Sequence, residues 1–372
     1  MGRRLIALLL SLTLGLCLNE AGAFAYRGQQ AGVNTGATDS GEPIAWHQRD
    51  VSMGLNFGAQ WNDAARLALR QWNEAGADFN WHADSNSATP CVNDGINSTG
   101  WSERSCSGDW GSIIASTRVT MTRVGGTWYI NDTDILFNSS LQYARYAGPQ
   151  RYDADGRPVY DFIRVALHEF GHAAGLLHPN EAGQQVDAIM NSGSRSLNLD
   201  HLQGDDIQGL HRLYAGARGS LDIVFEGVNG YQIGAGRISV GLDTLRNRRA
   251  RESGALTLEI RASTAGAGDD YYLLGRIELS RLDAGQQRSL GWLSTAYTPP
   301  PAGLHSLSLA LVEDGAAATP IYRQAIGYLE MQSDTVNSAQ SSAAPDSGGG
   351  PADILLWLLA VYGLGRRYAA NN

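Results

Sequence analysis

The chain has 372 residues, enough for two domains of ordinary size, and its composition is that of a globular protein. Its formal net charge is −9 at pH 7, and no basic stripe that would suggest nucleic-acid binding is recognised in the sequence. Nucleic acid is therefore not expected as a partner, because nucleic-acid binding requires a basic surface.

The N-terminal end has the pattern of a secretory signal. Arg3 and Arg4 precede an apolar run, Leu5–Leu18, and the small-x-small segment Ala23–Ala25 follows. Signal peptidase is expected to remove residues 1–25, so the protein is predicted to be exported. A membrane anchor is the alternative, but the run has about fourteen residues and a bilayer span needs roughly twenty.

The next stretch alternates between strand and helix patterns. Ile44–Asn56 reads as a strand, and Ala64–Ala75 reads as a helix that Asn62 and Asp63 cap. Gly111–Met121 and Thr127–Ile130 carry the β-branched and aromatic residues of strands. An α+β domain is the expected result.

Two cysteines, Cys91 and Cys106, remain after removal of the signal. In an exported protein we expect them to form a disulfide, with two free thiols as the alternative. The bond would close a loop of Asn, Ser, Gly and Asp and would stabilise the fold by about 3 kcal/mol in the loop-entropy description.

Three histidines are spaced for binding one metal ion. If residues 161–174 form a helix, His168 and His172 lie one turn apart on the same face and can share a cation. Gly175 allows the chain to leave the helix through a left-handed conformation. His178 can then return as a third ligand.

Neutral imidazoles favour zinc, and three protein ligands leave the fourth tetrahedral position for water, as in catalytic zinc sites. Glu169 projects from the helix about 100° from His168, beside the metal but not on it. It is the candidate general base for the bound water. A chance match of ordinary helix residues is the alternative, and the number of fixed positions makes it the weaker one.

The eleven-residue pattern His168–His178 resembles the zinc-binding signature of the metzincin metalloproteases. That family also has a turn with a methionine beneath the metal, and Asp187–Asn191 with Met190 is similar to it. The run 204–214, with two aspartates, Ile-x-Gly and a final Leu-Tyr, looks like the last helix of the matrixin branch. Ser192 stands where astacin-like and serralysin-like relatives have a tyrosine, so the matrixin branch fits best.

The resemblance implies an α+β catalytic domain over residues 26–217, with a twisted mixed sheet, an active-site helix and a C-terminal helix. It implies a zinc endopeptidase that hydrolyses protein or peptide substrates with one catalytic Zn²⁺ and a metal-activated water. The implied site residues are the zinc ligands His168, His172 and His178, the general base Glu169, and Met190 as the floor of the site.

Two further segments have open interpretations. Asp132–Asn138 is either the edge strand above the metal, to which an extended substrate adds in this family, or an ordinary strand of the sheet. Tyr152–Gly156 is either a Ca²⁺ loop or a polar hairpin turn. The turn is favoured because the segment lacks the later acidic ligand of a full calcium loop.

After Tyr214 the pattern changes to short alternating runs, such as Leu221–Phe225, Leu256–Ile260, Tyr271–Ile277 and Leu307–Val312. These runs predict an all-β sandwich domain over residues 218–332. No chemical constellation is recognisable in it.

The last residues resemble a sorting signal. Residues 333–350 form a Ser/Ala/Gly-rich linker, and residues 351–372 contain an apolar run followed by Arg366 and Arg367. Together with Gly348–Gly350, this pattern resembles the glycine-glycine C-terminal sorting tail of Gram-negative exported proteins. The resemblance implies a transient transmembrane anchor that a membrane protease cuts near the glycines, with a plain membrane anchor as the alternative.

The sequence thus predicts an exported zinc-dependent endopeptidase that is secreted or attached to the cell surface. The alternative is a protein without enzymatic activity, a surface-binding or adhesion protein. In that case the metal domain is structural or degenerate, and the β-sandwich is the domain that binds the partner.

Overall fold

The computed structural model describes residues 24–28, 42–84, 88, 90–193, 199–215, 221–264, 270–314 and 320–332. Nearly all of the predicted signal peptide lies outside these residues, as do the linker 333–350 and the tail 351–372, so these assignments stay predictions. Within the described ranges, no helix is both long enough and apolar enough to cross a membrane.

The chain up to residue 215 mixes strands and helices. Its elements are β1 (Ala25–Tyr26), β2 (Ala45–Trp46), β3 (Asp50–Asn56), α1 (Ala59–Glu74), β4 (Asn80–Asp84), β5 (Ser98–Ser102), β6 (Ala115–Val124), β7 (Thr127–Asn138), β8 (Gln142–Ala144), β9 (Arg151–Tyr152), β10 (Pro158–Asp161), α2 (Phe162–Ala174), β11 (Leu176–Leu177) and α3 (Gly204–Leu213).

A mixed sheet is the centre of this part. Its strands follow the order β2-β7-β5-β3-β4, all in parallel pairs, and β6 pairs with β7 in the antiparallel direction. The apolar faces of α1 and α2 cover one side of the sheet. Their side chains form one core with the strands, in which Trp72, Phe170, Met53 and Phe137 are all at most 1% exposed.

The edge of this sheet is β6, not the segment Asp132–Asn138. That segment belongs to β7, where Asp134 is paired with Ser98 of β5 on one side and with Arg118 of β6 on the other. Of its two interpretations, the ordinary interior strand is therefore the right one. Alternation within a strand reports which face is buried but not which neighbours it pairs with, so the pattern could not decide this.

Helix α1 begins at Ala59, five residues before the predicted start at Ala64. Asn62 was expected to precede the helix, but it lies in the first turn, where its Oδ1 accepts a hydrogen bond from Phe57 N at 2.9 Å. Trp61 packs against Trp101 and Phe162. These tertiary contacts extend the helix beyond the point that local capping signals indicate.

The second part is all strand in the residues described, and its strands at 237–247, 287–296 and 322–331 are not among the runs named from the sequence. Its elements are β12 (Ile223–Gly234), β13 (Arg237–Asn247), β14 (Leu256–Thr264), β15 (Tyr272–Leu279), β16 (Gln287–Ala296), β17 (Gly303–Glu313) and β18 (Tyr322–Met331). They form two antiparallel sheets, ordered β12-β13-β16 and β15-β14-β17-β18. Both sheets contribute to one buried cluster, for example Val240 from the first and Ile260 and Leu309 from the second.

The two parts contact each other through α1. Glu74, near the end of α1, is 6% exposed and accepts a hydrogen bond from Ser306 Oγ of β17 at 2.7 Å. Tyr328 of β18 belongs to the core of the first part. An ion pair between Arg145 and Glu330, 2.8 Å apart, adds a second polar contact.

Candidate metal centre

The helix α2 positions the first two histidines. It spans Phe162–Ala174 as the sequence predicts, and the carboxylate of its N-cap, Asp161, accepts a hydrogen bond from Arg164 N at 3.0 Å. Gly175 ends it with φ of 107°, the left-handed conformation that glycine adopts without strain. The strand β11 pairs with β1 and carries the chain back toward the helix, which brings His178 beside the other two histidines.

The three imidazoles converge on one point. The Nε2 atom of His178 lies 3.1 Å from that of His168 and 2.9 Å from that of His172. Two nitrogens bound to one tetrahedral zinc, each at about 2.05 Å, would lie about 3.3 Å apart, so the observed spacing fits such an ion with a small outward movement.

The other nitrogen of each ring has its own acceptor. His168 Nδ1 lies 2.8 Å from Ile189 O, and His172 Nδ1 lies 2.9 Å from Leu176 O. His178 Nδ1 lies 2.9 Å from the carboxylate of Glu181. These acceptors fix the proton on Nδ1 and leave the Nε2 lone pairs free for a metal.

Electrostatics favour the neutral form of the rings. Burial lowers the pKa of His172 well below its ordinary value, and the neighbouring imidazoles lower it further. The pKa of His178 is lowered for the same two reasons. Since a neutral imidazole is the metal-binding form, these residues fit a zinc ion. Across the described residues, this is the one group of three or more His, Cys, Asp or Glu side chains close enough to share an ion.

Glu169 lies next to this cluster, within the same helix. Its side chain is 6% exposed, and its Oε2 accepts a hydrogen bond from Thr117 Oγ1 of β6 at 2.6 Å. Burial raises the pKa of the carboxyl, whereas His168 and the Thr117 hydrogen bond lower it. A carboxylate whose pKa is raised by burial is a stronger base than a solvent-exposed one.

Met190, the residue expected to form the floor of the site, is 2% exposed. A Cβ placed on Gly171 would lie 2.3 Å from Met190 Sδ, so the methionine packs directly against the helix between the two histidines. The carboxylate of Asp206 accepts hydrogen bonds from Ile189 N at 2.8 Å and Met190 N at 3.1 Å. Helix α3 thereby holds the turn that carries the methionine.

Comparison with known families agrees with this geometry. Residues 58–215 match the family model described as matrixin. This part of the chain is a matrixin-like metzincin domain. The rest of the chain lies outside the match.

Curated relatives match the chain over a short stretch. Matrix metalloproteinase-23 of Rattus norvegicus is 40% identical over 79 residues, and the protein of the same name from Homo sapiens is 39% identical over 79 residues. In both cases the match covers 21% of this chain and 18% of the relative's own length. Among solved structures, a beta-glucuronidase from glycoside hydrolase family 2 is 14% identical over 29% of this chain and 10% of its own, at a TM-score of 0.16, which is too low for an argument about fold or function.

The matrixin-like domain contains three site residues that sequence reasoning missed. The sequence pattern assigns no role to Thr117 or Glu181, and it marks Asp206 only as one of a pair of aspartates. Thr117 lies 52 residues before its partner Glu169, a separation that no local spacing can reveal. Glu181 could have been found, since it lies three residues after His178 and a carboxylate is a common partner of a ligating histidine.

The disulfide between Cys91 and Cys106 is present, with 5.4 Å between the Cα atoms. It constrains the chain at Cys91, whose backbone N–H donates to Asp134 Oδ2 of β7 at 2.7 Å. The segment 152–156 forms the turn of a hairpin between β9 and β10. In that turn the Oδ1 of Asp153 accepts hydrogen bonds from two backbone N–H groups.

Proposed function

We propose that the chain is an exported zinc-dependent endopeptidase in which His168, His172 and His178 would hold the ion. The observation that carries the proposal is the position of the Nε2 atoms of His168 and His172, both within 3.1 Å of that of His178. Each ring has its Nδ1 engaged elsewhere, which a catalytic zinc site requires. The matrixin family match supports peptide bonds as the substrate.

A zinc ion in this position would supply Lewis acidity, which makes water more acidic and a peptide carbonyl more electrophilic. Glu169 would accept the proton that water loses when it attacks the carbonyl carbon. The same carboxyl would then give that proton to the departing amine nitrogen, so that Glu169 ends the cycle ionised. Glu169 is 6% exposed, so its carboxylate has little contact with bulk solvent.

The substrate backbone has an obvious place to bind. The strand β6 pairs with β7 on one side, and no other strand of the described residues pairs with it. Thr117 of β6 contacts Glu169, so this free edge passes beside the candidate site. An extended peptide would add to β6 through main-chain hydrogen bonds, the role that the sequence had left open for Asp132–Asn138.

The other assignments complete the proposal. Residues 26–217 would be the catalytic domain, and residues 218–332 a β-sandwich accessory domain, an assignment that the two sheets around one buried cluster support. Ala25, the last residue of the proposed signal peptide, pairs with Leu177, so cleavage after it would leave Tyr26 as the first residue beside β11. Signal peptidase, and a membrane protease acting on the tail, would be the processing partners.

The test is cleavage of a denatured protein mixture by the purified exported protein, with zinc content measured on the same sample. Glu169→Gln keeps the shape of the side chain but removes the base, and Glu103→Gln, at an exposed position, is the matched control. We expect one zinc per chain in all three proteins and cleavage that Glu169→Gln alone reduces, by about 10²- to 10⁴-fold. Zinc without cleavage by the wild type would instead favour the surface-binding alternative.

A further inference from the structure

The contact between β6 and the candidate base has a consequence for catalysis. The Thr117 hydroxyl lies 2.6 Å from Glu169 Oε2 and 3.2 Å from the backbone oxygen of the same residue. A hydroxyl has one proton to donate, and the shorter distance and the charge of the carboxylate direct it to Oε2. Among the described residues, Thr117 is the one group that hydrogen-bonds this carboxylate.

We propose that Thr117 is a positioning residue that holds the Glu169 carboxylate in the orientation in which Oε1 faces the reacting water. The inference deepens the proposed function and rests on it. A glutamate side chain has three rotatable bonds, and a carboxylate that rotates freely is a poor acceptor for one defined proton. With Oε2 engaged, Oε1 is the oxygen left to take the proton.

The position of Thr117 in the fold suits this role. It is paired with Ile135 of β7, which is fully buried, so the backbone of β6 is fixed at this point. Glu169 belongs to a helix whose N-cap and C-cap are both formed. The hydrogen bond therefore connects two rigid elements, and the strand that would bind the substrate is the same strand that orients the base.

Thr117→Val removes the hydroxyl with nearly unchanged shape, and Thr117→Ser keeps the hydroxyl. Thr127→Val, an exposed position at the start of the neighbouring strand β7, is the matched control. We expect Thr117→Val to lower kcat by about 10- to 100-fold, because a hydrogen bond to a charged group is lost, with KM and zinc content unchanged. Thr117→Ser should recover most of kcat, and Thr127→Val should match the wild type.

A double variant separates positioning from general stabilisation. In the Glu169→Gln background, Thr117→Val should cause little further loss, since the threonine acts through the carboxylate. The proposal is overturned if Thr117→Val cleaves like the wild type, if Val and Ser lower kcat equally, or if the loss is as large in the Glu169→Gln background as in the wild type.

One readout does not depend on peptidase activity. The carboxyl carbon of Glu169 can be observed by NMR in protein labelled with ¹³C-carboxyl glutamate. Its resonance is assigned as the one that is missing from the spectrum of Glu169→Gln. It should shift in Thr117→Val and stay in place in Thr117→Ser and Thr127→Val. If the wild type cleaves no substrate, the endopeptidase proposal fails while this measurement still decides whether Thr117 holds the carboxylate, and an unshifted resonance in Thr117→Val would overturn the contact itself.

Discussion

The packing of Met190 under the active-site helix predicts the effect of adding one methyl group at Gly171. A Cβ at that position would lie 2.3 Å from Met190 Sδ and 2.8 Å from Trp72 Cζ2. Favourable contacts between such atoms lie at about 3.5–4.0 Å, so both distances are short by more than about half an ångström. Overpacking of this kind costs about 1–3 kcal/mol, and the gain in helix propensity from glycine to alanine returns about 1 kcal/mol.

We therefore expect Gly171→Ala to lower the free energy of unfolding by up to about 2 kcal/mol. Gly204→Ala in α3 is the matched control, because a Cβ there meets only Gln208 Nε2, at 4.0 Å. It should be neutral or stabilising by up to about 1 kcal/mol. Urea unfolding of the zinc-loaded proteins measures both, and zinc affinity should also fall in Gly171→Ala, because the helix carrying His168 and His172 must move. A Gly171→Ala protein as stable as Gly204→Ala would refute the placement of Met190 against the helix.

Three further predictions follow from other contacts. Glu181→Ala removes the acceptor that lies 2.9 Å from His178 Nδ1. It should weaken zinc binding by about 10- to 100-fold, measured in competition with a chromophoric chelator. An unchanged zinc affinity would contradict the role of Glu181. Cys106→Ser removes the disulfide to Cys91, which joins residues 15 positions apart. It should lower the free energy of unfolding, measured with urea, by about 3 kcal/mol. A loss below about 1 kcal/mol would argue against stabilisation by the disulfide. Burial, with nearby carboxylates, raises the pKa of Asp132 to about 6. The folded state therefore binds the proton of Asp132 more tightly than the unfolded chain does. The free energy of unfolding should fall as the pH rises from about 4 to 6. Asp132→Asn should reduce this fall and be more stable at pH 7 by up to about 3 kcal/mol, and parallel stability curves of the variant and the wild type against pH would disprove it.

The convergence of the three histidines could be predicted from sequence because their arrangement is mostly local. His168 and His172 are related by one helical turn, and Gly175 adopts the left-handed conformation that the return to His178 requires. Sheet order could not be predicted in the same way. The interior position of Asp132–Asn138 depends on β5 and β6, which pair with it from elsewhere in the chain. The early start of α1 likewise depends on packing against distant aromatic rings.

Some substitutions could inactivate the site while leaving the three histidines in place. Which ones do so depends on whether each side chain is oriented by the backbone or by another side chain. His168 and His172 are oriented by backbone carbonyls, of Ile189 and Leu176, and no single side-chain replacement removes a carbonyl. His178 is oriented by a side chain, that of Glu181, and we propose the same for the candidate base Glu169 and Thr117. On these proposals, position 181 would control how tightly a zinc ion is held, and position 117 would control how fast a zinc-loaded site works. A relative that keeps the complete histidine pattern but has an apolar residue at position 117 should bind zinc normally and hydrolyse peptides slowly, so the histidine pattern alone is evidence of metal binding rather than of activity.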